Sequence, residues 1–349
     1  MDLDITRGQL IGEGLWSKVY SLSSSAVTSP QELHGLFTPP STPEKTKTPK
    51  LPQVFAVKSA TRQDAKEVFI EEARILSILQ DHADASHHVI PFFGLANDST
   101  ALVFEAATAG DLEGLMRDLT DRPVTDAIGH FPSLAYQLTS ALAFLHEADV
   151  VHADIKPSNI LISPSTTDPR QYNYRLCDFS ASFIAEPEPQ DSPASYIPSM
   201  PNSPMSASGT PSRSNSQRMP AGGGTWTYLA PEQLLSNPVL STPTFASDVY
   251  SLGLLFIAFL LGASPYSGLQ KSANIYLVRE AIKMADPKRF VRDYGADAGG
   301  MDVRLAELER DENGRRVISL AMMSVKKRKD ERIKATDWRE RCVELGWGE

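Results

Sequence analysis

The stretch Val151-His152-Ala153-Asp154-Ile155-Lys156-Pro157-Ser158-Asn159 constrains this chain more than any other. It sets a carboxylate, an ammonium and a carboxamide within six residues, Asp154 to Asn159. Pro157 stiffens the loop between them, because its ring fixes φ and removes a donor. An apolar helical pattern, Leu138, Ala141, Leu142 and Leu145, runs into the stretch, and the strand-like run Ile160-Leu161-Ile162 leaves it. A polar loop held between a buried helix and a buried strand keeps charged groups oriented for chemistry.

The segments around it fall in a definite order. Gln9-Leu10-Ile11 and Lys18-Val19-Tyr20 read as strands about the turn Gly12-Glu13-Gly14-Leu15-Trp16-Ser17. Its glycines let backbone N–H groups approach phosphate oxygens with no Cβ in the way. No G-K-[ST] follows, so the turn is not a Walker loop. Val54-Phe55-Ala56-Val57-Lys58 reads as a strand ending in lysine, and a helix follows with apolar positions Ile70, Ala73, Ile75, Leu76, Ile78 and Leu79. Glu72 is the candidate to pair with Lys58. Its neighbour Glu71 points about 100° away on a helix, so only one of the two faces inward.

Val89 to Phe93 and Ala101 to Phe104 are the next expected strands, followed by the segment Glu105 to Leu112 and a helical pattern from Asp111 to Ala148. After the opening loop, the strand Tyr174 to Cys177 leads to Asp178-Phe179-Ser180, with Asp178 24 residues beyond Asp154. Gly224-Thr225-Trp226-Thr227-Tyr228-Leu229-Ala230-Pro231-Glu232 precedes Ser247-Asp248-Val249-Tyr250-Ser251-Leu252-Gly253, which opens the most apolar helix of the chain. Asp248 reads as a carboxylate in a first helical turn, placed to accept backbone N–H bonds. Val249 to Leu261 is too short for a membrane span of roughly 20 residues and is expected to be a core helix.

In this order the motifs resemble the eukaryotic protein kinase family, serine/threonine type, over residues 5–345. The resemblance implies an α+β bilobal fold, with a β-rich small lobe over about 5–105 and a helical large lobe over about 111–345. It further implies ATP and Mg²⁺ as the nucleotide and metal, and transfer of the γ-phosphoryl group to protein hydroxyls. Asp154 would accept the substrate proton, Lys156 would contact the γ-phosphate, and Lys58, held by Glu72, would neutralise the α- and β-phosphates. Asn159 and Asp178 would hold the metal. Gly12, Gly14 and Ser17 would cover the phosphates, with Ser17 where the family has a third glycine. Ile11, Val19, Ala56 and Leu161 would sandwich adenine. Glu105 and Ala107 would supply backbone hydrogen bonds, Asp111 would complete the nucleotide set, and Phe104 would be the gatekeeper. Lys156 with Thr225 favours serine/threonine over tyrosine substrates. Glu232 would pair with Arg332.

Three positions depart from the family pattern: Ser17, Ala153 in place of arginine, and Ser180 in place of glycine. A serine at 180 is less free to take positive φ, which would bias the loop between its states. Alanine at 153 leaves no cation for a loop phosphate to neutralise. These departures motivate the alternative reading, a pseudokinase that binds nucleotide or scaffolds without transfer. A small-molecule kinase is disfavoured by the complete Ala-Pro-Glu and Asp248 segments.

Composition adds bounds. Net charge is -9, which argues against a general electrostatic footprint on nucleic acid. Two cysteines, Cys177 and Cys342, argue against a disulfide framework and for an intracellular setting, cytoplasmic or nuclear, and the N-terminus lacks the pattern of a signal peptide. Residues 22–52 and 186–224, rich in Ser, Thr and Pro, read as insertions that cannot bury enough apolar surface to order themselves. They carry Ser/Thr-Pro pairs at Thr38, Thr42, Thr48, Ser192, Ser203 and Thr210, possible targets of upstream proline-directed kinases. His82, His87 and His88 read as a polar loop, His146 as structural, and Lys326-Lys327-Arg328-Lys329 as a solvated helix end or a nuclear signal.

Overall fold

The structure is a computed structural model of the chain. It describes residues 2–14, 17–24, 52–62, 64–165, 171–185, 225–237, 240–272 and 275–348. Strands β1 (Gln9–Glu13), β2 (Ser17–Ser23) and β3 (Val54–Ala60) are followed by helices α1 (Ala65–Gln80) and α2 (Ala85–His88), then β4 (Phe92–Ala96) and β5 (Ala101–Glu105). The strands form an antiparallel sheet in the order β1-β2-β3-β5-β4. Period-two alternation along β3 sends Phe55 and Val57 to one face, where they pack with Leu3, Leu22 and Val103. Ala56 faces the other way, into the main core, and Lys58 shares its face. That face looks toward α1 and the rest of the chain.

The sequence reading needs two corrections in this lobe. β2 runs on through Ser23, because Leu22 is buried in the small cluster, so residues 22–24 are not part of an insertion. Residues 25–51 and 186–224, with all six Ser/Thr-Pro sites, lie outside the described residues. The run Val89 to Phe93 is also not one strand. Val89 bridges Leu176 in parallel, the Ile90 N–H donates to the Leu176 carbonyl at 3.1 Å, and the sheet strand starts only at Phe92. Pro91 divides the run, having no N–H to continue a ladder. Its first half therefore serves the helical lobe and its second half the sheet. Ile70, expected on the buried stripe of α1, is instead exposed.

The expected helix from Asp111 to Ala148 is two: α3 (Leu112–Thr120), capped by Asp111, and α4 (Val124–Glu147). Short strands follow: β6 (Val150–Val151), β7 (Ile160–Pro164), β8 (Tyr172–Leu176) and β9 (Phe183–Ile184). β7 pairs with β8, and β6 with β9, so the two hairpins bracket the loop 152–159. Helices α5 (Phe245–Leu261), α6 (Ser267–Ser272), α7 (Ile275–Met284), α8 (Pro287–Tyr294), α9 (Met301–Arg310), α10 (Glu312–Met322) and α11 (Ala335–Glu344) complete the large lobe. The basic run 326–329 is exposed and links α10 to the 3-10 turn Lys329–Glu331 rather than ending a helix.

Helix α5 is the axis of this lobe, and every residue from Ser247 to Leu261 is buried. Thr244 and Ser247 form a capping box at its start, and Gly262 at φ +86° closes it. Among the described residues no helix is long and apolar enough to cross a membrane. Gly253 lets the turn after α10 close onto α5: a Cβ there would lie 1.8 Å from Ser324 Oγ and 3.0 Å from the Ala321 carbonyl oxygen. Gly253→Ala gains about 1 kcal/mol of helix propensity. Overpacking against a backbone oxygen costs about 1–3 kcal/mol, so the clash wins. The variant should melt several degrees below wild type in a thermal denaturation scan.

Candidate active site

Lys58 is the electrostatic hub of the cleft between the lobes. Its Nζ donates to both Glu72 carboxylate oxygens at 2.8 and 2.9 Å and to Asp178 Oδ1 at 2.7 Å. Glu72, not Glu71, is the inward glutamate; Glu71 pairs with Arg74 on the exposed face. Glu72 also accepts the backbone N–H of Phe179 at 3.2 Å. Burial works against the Lys58 charge, but Asp178 and Glu72 outweigh it and hold the ammonium well above its usual range. Burial likewise would raise Asp178; Lys58, 2.7 Å from its Oδ1, outweighs burial and holds the carboxyl far below the usual range. Asp178 is thus an ionised carboxylate whose side chain is 35% exposed, reachable from the cleft.

The loop 152–159 is tied at both ends. Asp248 accepts the His152 N–H at 2.7 Å and the Ala153 N–H at 2.9 Å. It anchors the backbone of this loop, while Thr244 caps its own helix. His146, at 3.5 Å from Asp248 and packed on Phe245, is part of that support. The His152 ring takes the N–H of Asp154 on Nδ1 at 3.3 Å, so Nε2 carries the proton toward the Cys177 carbonyl at 3.2 Å. Asp154 Oδ2 accepts from Lys156 Nζ at 2.8 Å and from Asn159 Nδ2 at 3.1 Å, and Asn159 Nδ2 also bonds the Asp154 carbonyl at 2.8 Å. Burial raises the Asp154 carboxyl above its ordinary value, against the pull of Lys156.

The remaining expected residues sort as follows. Gly12 and Gly14 flank the hairpin of β1 and β2, with the Gly14 N–H on the Ser17 carbonyl at 2.8 Å; Ser17 is the buried first residue of β2 rather than part of the loop. The tip, Leu15 and Trp16, lies outside the described residues. Ala56 and Phe104 are cross-strand partners and both buried, while Val19 and Leu161 are partly buried and Ile11 is 54% exposed. Glu105 donates its N–H to the Pro91 carbonyl at 2.9 Å, and its side chain takes Arg175 at 2.7 Å, so of its backbone it has the carbonyl to offer. Asp111 caps α3 through the Gly114 N–H at 2.8 Å and bridges Leu161. Thr225 opens the 3-10 turn Thr225–Tyr228. Glu232 and Arg332 form a two-pronged pair at 2.7 Å on each prong, with Arg332 over the Tyr250 ring.

Ser180 is not at positive φ; in the loop segments 152–159 and 178–182 the left-handed residues are Ala153 at φ +66° and Asp178 at φ +62°. Sequence reasoning missed two contacts: Arg175 with Glu105, and Ser182, whose Oγ donates to the His152 carbonyl at 2.9 Å. Nothing in the sequence pattern around a lone serine marks the second. His82 and His88 pack their rings on Phe144, and among the described residues no group of three or more His, Cys, Asp and Glu side chains is placed to hold a metal ion.

This geometry sets a lysine–glutamate pair on a five-stranded lobe against an Asp-Asn loop on a helical lobe, the arrangement of a bilobal kinase fold. The family description "Protein kinase domain" matches residues 44–339, and the chain belongs to the protein kinase family, with its bilobal fold. The β1–β2 hairpin lies ahead of that match. The chain is 25% identical over 281 residues to the serine/threonine-protein kinase ISR1 of Saccharomyces cerevisiae, covering 75% of this chain and 52% of that one. It is 30% identical over 202 residues to the serine/threonine-protein kinase pkn2 of Myxococcus xanthus, covering 58% and 20%. It is 27% identical over 219 residues to the mitogen-activated protein kinase MPS1 of Pyricularia oryzae, covering 60% and 43%. The chain thus spans about half or less of the length of these relatives.

Asp248→Asn keeps the shape but leaves one acceptor oxygen for two backbone donors. Charge-assisted bonds of this kind are worth about 1.5–3 kcal/mol each, so kcat should fall by about 10- to 100-fold. Equilibrium titration with a nucleotide should show affinity near that of wild type, because Lys58 and Glu72 are untouched.

Proposed function

We propose that the protein is an ATP-dependent serine/threonine protein kinase. The observation that supports this best is the complete charge set: Lys58 paired with Glu72, Asp178 ionised beside it, and Asp154 and Asn159 on a loop anchored by Asp248. The donor set suits a hard cation, since Asp178 offers carboxylate oxygens and Asn159, its amide nitrogen turned to Asp154, keeps its carboxamide oxygen for a ligand. Bound Mg²⁺ would be held by Asp178 and Asn159 and would offset charge on the transferred group. Lys58 would shift from Asp178 toward the α- and β-phosphates while Glu72 keeps it oriented. Ala56, Val19 and Leu161 would enclose adenine, with the Glu105 carbonyl and the Ala107 backbone at its edge and Phe104 behind it.

Asp154 would accept the proton of a substrate Ser or Thr hydroxyl. Its position is fixed by three contacts from its own loop, and burial makes it a better base than an exposed aspartate. Lys156 would neutralise the γ-phosphate from the same side. The departures at 153 and 180 do not remove any of these groups, which weighs against the pseudokinase reading. The setting we propose is intracellular, with proline-directed kinases acting on the Ser/Thr-Pro sites and protein hydroxyls as the substrate.

Asp154→Asn should lower transfer to a generic protein substrate by about 10²- to 10⁴-fold, measured with Mg²⁺ and ATP. Wild-type transfer no greater than that of this variant would leave the pseudokinase reading standing. The pH profile gives a second test. Asp154 works deprotonated, so kcat/KM climbs as pH rises through its pKa. Lys156 pulls that pKa down, and Lys156→Met should move the acid limb of the profile to higher pH, whatever it does to the plateau. A limb that stays put would mean that Asp154 is not the titrating base. With Ala153 offering no cation, phosphatase-treated enzyme, with Ser192, Ser203 and Thr210 changed to Ala, should keep its transfer rate within about twofold.

A further inference from the structure

We propose that Ser182 is a positioning residue for Asp178, so that a hydroxyl group rather than a phosphate holds the metal-side loop against the catalytic loop. The inference rests on the kinase reading above and concerns how that site is kept assembled. The segment 178–185 has to hold a left-handed residue, Asp178 at φ +62°, in place beside Lys58. For a non-glycine residue such backbone is unfavourable and persists only where the surroundings over-determine it.

Several contacts over-determine it. Lys58 and the Glu72 carboxylate take the Asp178 side chain and the Phe179 N–H from the small lobe. The Phe179 ring packs on His152 with centroids 4.9 Å apart. The Ser182 N–H turns back to the Phe179 carbonyl at 3.0 Å, and β9 beyond it pairs with β6. The Ser182 hydroxyl supplies the bond that crosses to the catalytic loop itself, 2.9 Å from the His152 carbonyl with donor and acceptor both buried. His152 is the residue whose N–H is held by Asp248 from the opposite side. One peptide segment is therefore gripped by α5 through its N–H and by the metal-side loop through its carbonyl.

A side chain that only stabilised the fold would not affect how the site answers a metal ion. A side chain that orients Asp178 would. The probe is ADP, titrated by calorimetry or fluorescence into purified full-length protein with EDTA and at increasing Mg²⁺. Wild type should bind ADP more tightly as Mg²⁺ rises. Ser182→Ala should need about fivefold more Mg²⁺ for half of that tightening, the equivalent of one lost neutral hydrogen bond. Its affinity for ADP in EDTA should stay within about twofold, and amides 179–185 should exchange faster with deuterium. Ser182→Cys, which nearly keeps the side-chain volume but offers only a weak S–H donor, should shift the Mg²⁺ response in the same direction and decides the matter if Ser182→Ala does not fold. Phosphatase treatment of wild type should leave the response unchanged.

A wild-type response matched by both variants overturns the proposal, and so does a wild-type response that phosphatase treatment abolishes. Wild type that binds ADP with no response to Mg²⁺ overturns the kinase reading itself, which keeps the two failures distinguishable.

Discussion

The site depends on one buried carboxylate. Asp248, 1% exposed, sits in the first turn of the most apolar helix of the chain, where an ion without partners would cost several kcal/mol. Its two backbone N–H partners on the catalytic loop, at 2.7 and 2.9 Å, offset that cost and convert it into geometry. Because both oxygens are engaged, the loop can neither slide nor rotate about the contact. The charged groups of the loop hang from it: Asp154 is one residue beyond Ala153, and Lys156 and Asn159 close onto Asp154. Helix α5 in turn is held by its own capping box and by Arg332, which bonds the Ala246 carbonyl at 2.9 Å while gripping Glu232. A line of polar contacts thus runs from the Ala-Pro-Glu segment through α5 to Asp154.

Lys58 plays the complementary part between the lobes. It sits on a strand of the sheet, yet it is bound by a carboxylate from each side of the cleft, Glu72 from α1 and Asp178 from the large lobe. The pair with Glu72 is fully buried on the acid side, so removing either partner would strand a charge and cost about 3–5 kcal/mol. Asp178 is the more exposed partner, its side chain 35% accessible against none for Glu72. The small lobe therefore keeps one fully buried ion pair and shares a second, more accessible one with the large lobe.

Much of this was legible in the sequence because the chemistry lies in short local runs. The order of Lys58, Glu72, Asp154, Asn159, Asp178, Glu232, Asp248 and Arg332 carried the fold, while helical geometry allowed only one of Glu71 and Glu72 to face inward and the structure shows Glu72 on Lys58. What was not legible depended on long-range packing. Nothing local says that Val89 and Ile90 belong with Leu176 while Phe92 belongs with Phe104, since Pro91 can end one element or begin another. Leu22 looked like the edge of a polar tract, and it is a core residue only because Phe55 lies across from it. Backbone conformation was equally hidden: sequence suggested strain at Ser180, whereas the left-handed residue is Asp178, two positions earlier.

That last shift bears on how the departures from the family pattern should be weighed. Ala153 is left-handed at φ +66°, a conformation that costs an L-residue roughly 1–2 kcal/mol whatever its side chain. The cost is met by the Asp248 bond to its N–H and not by anything its own side chain does. The backbone at 153 is thus specified from outside, and the side chain there can change without moving the base beside it. Glycine would relieve strain at that position, and arginine would add a cation. Alanine does neither, and Asp154 keeps its contacts to Lys156 and Asn159. Position 180 follows the same logic: with the left-handed turn already made at Asp178, a Cβ at 180 meets no backbone demand for glycine.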